Sequence, residues 1–383
     1  MIPLAVPNIG PLEGRYLQDC VETTFVSSVG PFVDRFEAQV AERHGAPHAG
    51  VATAAGTMAL HAAFLSVGVK PGDLVIAPDY TFIATCNAIA HAGAAPWLFD
   101  VTAERWTLDA DQVAGALKRD CVRTADGVRH EPTGRRVAGI CPVYTLGTLA
   151  DMEALGAIAR DWGLAVVADA AAAVGVSQHG GSGIADLADL TAFSFNGNKT
   201  ITTGGGGMLI GADADLLAAA RHLTTTARVG ADYLHDVVGY NYRMTNISAA
   251  VGCAQMERLD DFLAAKRRIR ERYDAELAGL PGVSPFPRPD DPRESAFWFS
   301  GVVLGEGARL DLDQAVEAMK VAGVGARPFW RPMRLQPPFA DAPAEPAPVS
   351  DDVWRRVLTL PCSTGLSEAE QTRVIEAVRE ACG

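Results

Sequence analysis

The chain has 383 residues, 48% of them hydrophobic and 21% charged, which suits a soluble globular protein with a large core and, by length, two domains. A formal net charge of −13 argues against nucleic acid or an anionic membrane as partner, although a local basic pocket is compatible with it. No apolar run is long enough to span a bilayer, the opening Met1–Pro7 lacks the build of a signal peptide, and the seven scattered cysteines form no CxxC pair, so a reducing cytoplasm is expected and a zinc site or disulfide framework is not.

In chain order, the first forty residues read as a lead-in arm followed by a helix that places Phe32, Phe36 and Val40 on one face. The turn-forming Ser27-Ser28-Val29-Gly30 precedes that helix. Gly56-Thr57 opens a further helix, running to about Leu65; a glycine beside a helix start is a plausible phosphate cradle, and equally a plain cap. Short buried strands follow at Leu74–Ala77 and Pro96–Asp100, with Phe82 just past the first, where an aromatic ring could stack on a flat cofactor or simply pack in the core. Residues 118–136 read as a surface excursion with a hairpin turn at Asp126-Gly127, before a strand over Val137–Val143. Met152, Leu155, Ala159 and Trp162 mark an amphipathic helix leading into the strand that ends at Asp169. Helices are also expected around Ile247–Ala254, Ile269–Leu277 and 311–322, and from Ser367, where Glu370 completes a capping box. Proline-rich 281–293 reads as a domain linker and 336–349 as a loop, giving a large domain over 1–250 and a small one over 251–383. Strands alternating with helices imply a mostly parallel central sheet sandwiched by helices, with ligands at the strands' carboxyl ends.

One stretch carries chemistry. The strand Leu164–Ala168 stops at Asp169, and a second apolar strand, Leu190–Phe195, leads to Lys199 and then to four glycines, Gly204–Gly207. A carboxylate at one strand end and a lysine just past another suit pyridoxal 5'-phosphate (PLP): the amine makes the Schiff base and the carboxylate keeps the pyridine nitrogen protonated. Either residue alone has an ordinary structural reading; their order and glycine-rich setting together favour the cofactor. A nicotinamide dehydrogenase is disfavoured because no GxGxxG follows a first strand.

The whole chain resembles the DegT/StrS-type PLP-dependent sugar aminotransferases. The similarity rests on Ser27–Gly30, Gly56-Thr57, Thr81–Thr85, Asp169–Ala171, Phe193–Phe195 with Lys199, Thr202–Gly207, Gly239–Met244, Arg327–Met333 and Leu360–Leu366. The run Ser194–Lys199 is similar to a subgroup acting on nucleotide-linked 4-keto-6-deoxyhexoses. The resemblance implies a fold-type I α/β enzyme with a smaller C-terminal α+β domain, which moves an amino group from L-glutamate to a keto sugar. Lys199 and Asp169 would be catalytic, Gly56, Thr57 and Ser194 would hold the phosphate, and Phe82 would stack on the ring. Asn241 would reach the phosphate of a neighbouring subunit's cofactor, making a homodimer with shared sites. Ser27, Ala172, Arg331 and Arg334 are the candidate substrate residues. The chain departs from the family pattern at Ala55, Ala168 and Ala172, where polar side chains are usual, at Tyr144 in place of His or Asp, and at Arg334 in place of a frequent His. Another PLP reaction on an unusual keto compound, or a non-catalytic PLP-binding sensor, remains an alternative.

Overall fold

The computed structural model describes residues 1–382. Two helices open the chain, α1 (Pro11–Glu22) and α2 (Pro31–Arg43). The first replaces most of the expected arm. Pro11 sits at its first turn, and the Glu13 carboxylate accepts the Gly10 N–H at 2.9 Å, so a short polar segment is started by capping.

The main sheet then builds from β1 (Val51–Thr53), β2 (Leu74–Pro78), β3 (Ala95–Phe99), β4 (Cys121–Thr124), β5 (Gly127–His130), β6 (Arg136–Ile140), β7 (Ala165–Asp169), β8 (Leu190–Ser194) and β9 (Gly207–Ile210). Its order is β1-β9-β8-β7-β6-β2-β3. The strand pairs from β8 to β3 are parallel, and β9 runs against both of its neighbours. The segment expected as a surface excursion forms the β4–β5 hairpin, which turns at Ala125-Asp126, one residue earlier than expected, with Gly127 opening β5, and β5 joins β6 to widen the sheet. The glycine run ends by entering β9: a side chain at Gly207 would stand 2.6 Å from the Ala55 carbonyl oxygen.

Helices α3 (Gly56–Ser66), α4 (Ile83–His91) and α7 (Ala214–Thr224) cover one face of the sheet; α5 (Ala110–Asp120), α6 (Met152–Trp162) and α8 (Asn246–Met256) belong with α2 to the other. Strand β2 shows why two layers are needed. Its Leu74 and Ile76 pack into one hydrophobic cluster and its Val75 and Ala77 into the other, as the two-residue period of a strand requires.

Beyond the two-stranded ribbon of β10 (Arg228–Val229) and β11 (Leu234–His235), the long α9 (Leu259–Glu276) leads to a second, antiparallel sheet. This sheet is ordered β12 (Val283–Pro285), β13 (Ser300–Leu304), β15 (Val357–Leu360), β14 (Arg327–Pro328). The stretch read as a linker thus contributes an edge strand. Helices α10 (Leu312–Val321), α11 (Pro348–Val353) and α12 (Glu368–Cys382) complete the chain. The capping box before α12 is present, with the Ser367 and Glu370 side chains each bonding the other residue's N–H. A third hydrophobic cluster joins α9, α10, α12 and the second sheet, and it also takes in Ile2, Tyr80 and Trp106. No helix among the described residues is long and apolar enough to cross a membrane.

Candidate active site

The carboxyl ends of β2, β6, β7 and β8 face one cavity of about 320 Å³. Phe82 follows β2, Tyr144 follows β6, Asp169 ends β7, and Ser194 ends β8 with Lys199 five residues on. Trp298, Arg327 and Trp330 close the cavity from the C-terminal part of the chain.

The start of α3 forms one end of the cavity. Met58 and Ala59 donate their N–H groups to the Ala55 carbonyl, whereas the Gly56 and Thr57 N–H groups, at the helix start, have no carbonyl behind them to bond. A Cβ at Gly56 would lie 2.7 Å from Ser194 Cβ and 3.0 Å from its Oγ, so the glycine is what brings the serine hydroxyl against the helix end. Free N–H groups, a hydroxyl and the positive end of a helix dipole suit a phosphate.

At another part of the wall, Asp169 is 5% exposed and fixed from two sides. Thr85 Oγ1 donates to its Oδ2 at 2.7 Å, and the Ala171 N–H donates to its Oδ1 at 3.1 Å. Thr81 Oγ1 lies 2.9 Å from Thr85 Oγ1, extending the chain of hydroxyls. Burial pushes the Asp169 carboxyl above its usual range, against the lowering effects of Thr85, Ala171 and Lys199. A buried carboxyl in that condition is matched to a cationic N–H partner, as a pyridinium offers. Burial lowers the Lys199 amine to about 8, opposed by the attraction of Asp169. Its Nζ lies 3.8 Å from the centroid of the Trp298 ring, and the Trp298 indole N–H is anchored on the Asn198 carbonyl at 2.7 Å. The Tyr144 hydroxyl and Asn198 Oδ1 are buried around the same cavity and find no partner among the described residues. Phosphate-binding groups, a carboxyl for a ring nitrogen and a lysine of lowered basicity together fit PLP.

Of the residues singled out in the sequence, Gly56, Thr57, Phe82, Asp169, Ala172, Ser194 and Lys199 line this one cavity. Phe82 keeps 55% of its surface exposed, so its ring is not consumed by core packing. Asn241 does not line it: it is exposed, in an antiparallel bridge with Thr225. Ser27 also lies outside, its carbonyl accepting the Asn246 N–H at 2.6 Å. Arg331 sits over Trp354, and Arg334 is clamped between Asp79 and Asp351. The sequence reading missed Thr85, Asn198, Trp298, Arg327 and Trp330. Thr85 carried a usable signal, since Thr81 and Thr85 are one helical turn apart at the head of α4; the others arrive from distant parts of the chain.

Residues 7–379 match the model of the DegT/DnrJ/EryC1/StrS aminotransferase family. The chain is 37% identical to GDP-perosamine synthase of Caulobacter vibrioides over 381 residues, covering 98% of this chain and 97% of the relative. It is 31% identical to GDP-perosamine synthase of Vibrio cholerae over 381 residues, covering 99% and 98%. The solved aminotransferase TlmJ of Streptoalloteichus hindustanus superposes with a TM-score of 0.88 at 27% identity, over 100% of this chain and 98% of that one. The protein is therefore a PLP-dependent aminotransferase of fold type I. It belongs to the DegT/DnrJ/EryC1/StrS family of sugar aminotransferases.

Proposed function

We propose that the protein transfers an amino group from L-glutamate to a nucleotide-linked 4-keto-6-deoxyhexose, in glycan or secondary-metabolite synthesis. The observation that carries the reading is the placement of Lys199, Asp169 and the Gly56/Ser194 cradle around a single cavity. The full-length similarity to the two GDP-perosamine synthases supports a nucleotide sugar as acceptor.

When bound, PLP supplies an electron sink for the carbon that gains or loses the amino group. The protein's own groups do the rest. Gly56 and Thr57 N–H groups and the Ser194 hydroxyl hold the phosphate. Asp169, oriented by Thr85, would stabilise positive charge on the ring nitrogen, and Phe82 would hold the ring by stacking. Lys199, with its basicity lowered, holds the cofactor and then moves a proton at its Nζ to and from the reacting carbon. Trp298 and Trp330 exclude water around that amine.

The active form in this reading is a homodimer. Asn241 is exposed on its own subunit, in a segment that also exposes Val229, Tyr233, Leu234, Val237 and Val238. An apolar strip of this kind suits burial against a second copy, where Asn241 would reach the partner's phosphate.

Purified protein assayed with L-glutamate against GDP-, dTDP- and UDP-linked keto sugars tests the proposal. Amination of a 4-keto-6-deoxy sugar is the expected result. Amination confined to sugars with the keto group elsewhere, or to keto compounds that are not sugars, would overturn the acceptor assignment.

A further inference from the structure

We propose that Arg334 is a positioning residue: through Asp79 it fixes Trp330 relative to Phe82 and so sets the width of the cavity mouth. The inference rests on PLP lying in the cavity and not on which keto compound is aminated. Arg334 does not line the cavity itself. Phe82 and Trp330 do, each with part of its surface open to solvent, and their ring centres stand 6.3 Å apart at a tilt of 41°. One ring follows β2 and the other follows β14, so two loops from distant parts of the chain must be held in register.

Asp79, 1% exposed, makes that register. Its N–H donates to the Phe99 carbonyl at 2.7 Å, which fixes it to the end of β3. Its own oxygens serve the other loop. The Met333 N–H donates to the Asp79 carbonyl at 2.7 Å, the Arg334 N–H to Oδ1 at 2.8 Å, and the Arg334 guanidinium to Oδ2. Burial pushes the Asp79 carboxyl above its usual range, and the Arg334 N–H and guanidinium pull the other way. A second guanidinium nitrogen binds Asp351 in α11. The start of α11 is held in turn by Asp100, the residue after β3: the Val349 N–H donates to its Oδ2 and the Ser350 N–H to its Oδ1, each at 2.8 Å. One cation thus ties the end of β2 to a helix that is itself tied to the end of β3.

The tethers from this clamp to the two rings are short. Asp79 is three residues from Phe82, and Arg334 is four from Trp330. Pro332 restricts the backbone between Arg334 and Trp330, and Met333 is buried in a cluster with Cys86 and Leu98. A planar guanidinium shared by two carboxylates has little freedom of its own. Without it the buried Asp79 charge loses its partner, and only backbone bonds hold residues 333–334 to the strand end. Trp330 is then free to swing away from Phe82 and admit bulkier molecules to the cofactor.

The test uses PLP-loaded enzyme and two nucleophiles of different bulk that attack the bound cofactor, hydroxylamine and O-benzylhydroxylamine. Loss of the cofactor's visible band gives a rate for each. Neither probe is a substrate, so a failure to aminate any keto sugar would refute the acceptor assignment and leave this inference standing. Arg334→Gln is expected to raise the rate of the bulky probe about 10-fold and that of hydroxylamine no more than about twofold. Trp330→Ala should do the same. The double variant should be no faster than the quicker single one, because Arg334 acts through Trp330. Arg334→Lys, which keeps a cation beside Asp79 but lacks the fork, should fall between the wild type and Arg334→Gln. A thermal melt and the PLP content check that each variant is folded and loaded. An unchanged ratio of the two rates in Arg334→Gln, or increases that multiply in the double variant, would overturn the proposal. Should Arg334→Gln fail to fold, Arg334→Lys decides: a ratio above that of the wild type supports the proposal, and a ratio equal to it overturns it.

Discussion

Lys199 has two demands on it: it must be neutral to attack and close to a carboxylate that favours its charge. Burial dominates and holds the amine near 8, well below an ordinary lysine. The sign follows directly. Below that pH the amine is protonated and inert; above it the neutral nucleophile accumulates. Capture of added PLP by apoenzyme should therefore rise with pH and reach half its maximum near 8, and Lys199→Ala should abolish it. Borohydride reduction of the holoenzyme followed by peptide mapping checks the site; label on another lysine would refute the assignment. The alanines that depart from the family pattern expected from the sequence pose a different question. Ala172 lines the cavity and is nearly buried, and its carbonyl is already close-packed, since a Cβ on Gly147 would lie 2.5 Å from it. Space freed there belongs to the cavity. Ala172→Gln should therefore clash with the acceptor at an overpacking cost of about 1–3 kcal/mol, while the smaller donor loses less. Separate measurement of the two half-reactions tests this, and equal loss in both would reject it.

The elements that meet at the lysine are tied together from behind. Lys266, on α9, is 2% exposed and donates to the Trp298 carbonyl at 2.8 Å and the Cys362 carbonyl at 2.7 Å. Trp298 in turn contacts Lys199, so a helix remote from the cofactor positions the ring against the amine. Lys266→Met would leave the buried Cys362 carbonyl unpaired and the Trp298 carbonyl with only the weak Cys362 thiol donor, costing about 1–3 kcal/mol for a group left without a partner. Chemical denaturation should show the loss, and loosening of Trp298 should move the pH midpoint of PLP capture. An unchanged midpoint would make Lys266 purely structural. Contacts of this kind explain what the sequence could and could not reveal. Asp169, Gly56 and Ser194 were readable because each sits at a strand end or helix start, where local pattern fixes direction, and Lys199 because it lies in the short segment between a strand and the glycine run. Lys266 read as one more helix residue, since its partners are 32 and 96 residues away. The helix α1 escaped because its buried positions, Tyr16 and Cys20, are sparse among polar residues. The edge strand β12 escaped because prolines surround it, and edge positions tolerate them. Among the arginines of 327–334, local order could not tell which one turns to the cavity; the pairing of β14 with β15 decides that.

At the scale of the molecule, the exposed apolar segment around Asn241 predicts that one subunit's site is finished by another. Subunits carrying Lys199→Ala and subunits carrying Asn241→Ala should each be impaired alone. Mixed under conditions of verified exchange, they should form heterodimers with one intact site and regain part of the wild-type activity. No recovery would count against sharing. A different long-range tie lies at the start of the chain. Ile2 donates to the Gly323 carbonyl and accepts from the Gly325 N–H, Leu4 accepts from the Cys362 N–H, and Ile2 is buried in the third hydrophobic cluster. Residues 2 and 4 thus wait for partners made more than three hundred residues later in the chain. Until those emerge, the wall carrying Trp298, Arg327 and Trp330 lacks its last clasp, and the cofactor cradle can form well before the roof above it. A translating chain stalled near residue 300 should already display the phosphate-binding end while being unable to enclose a substrate.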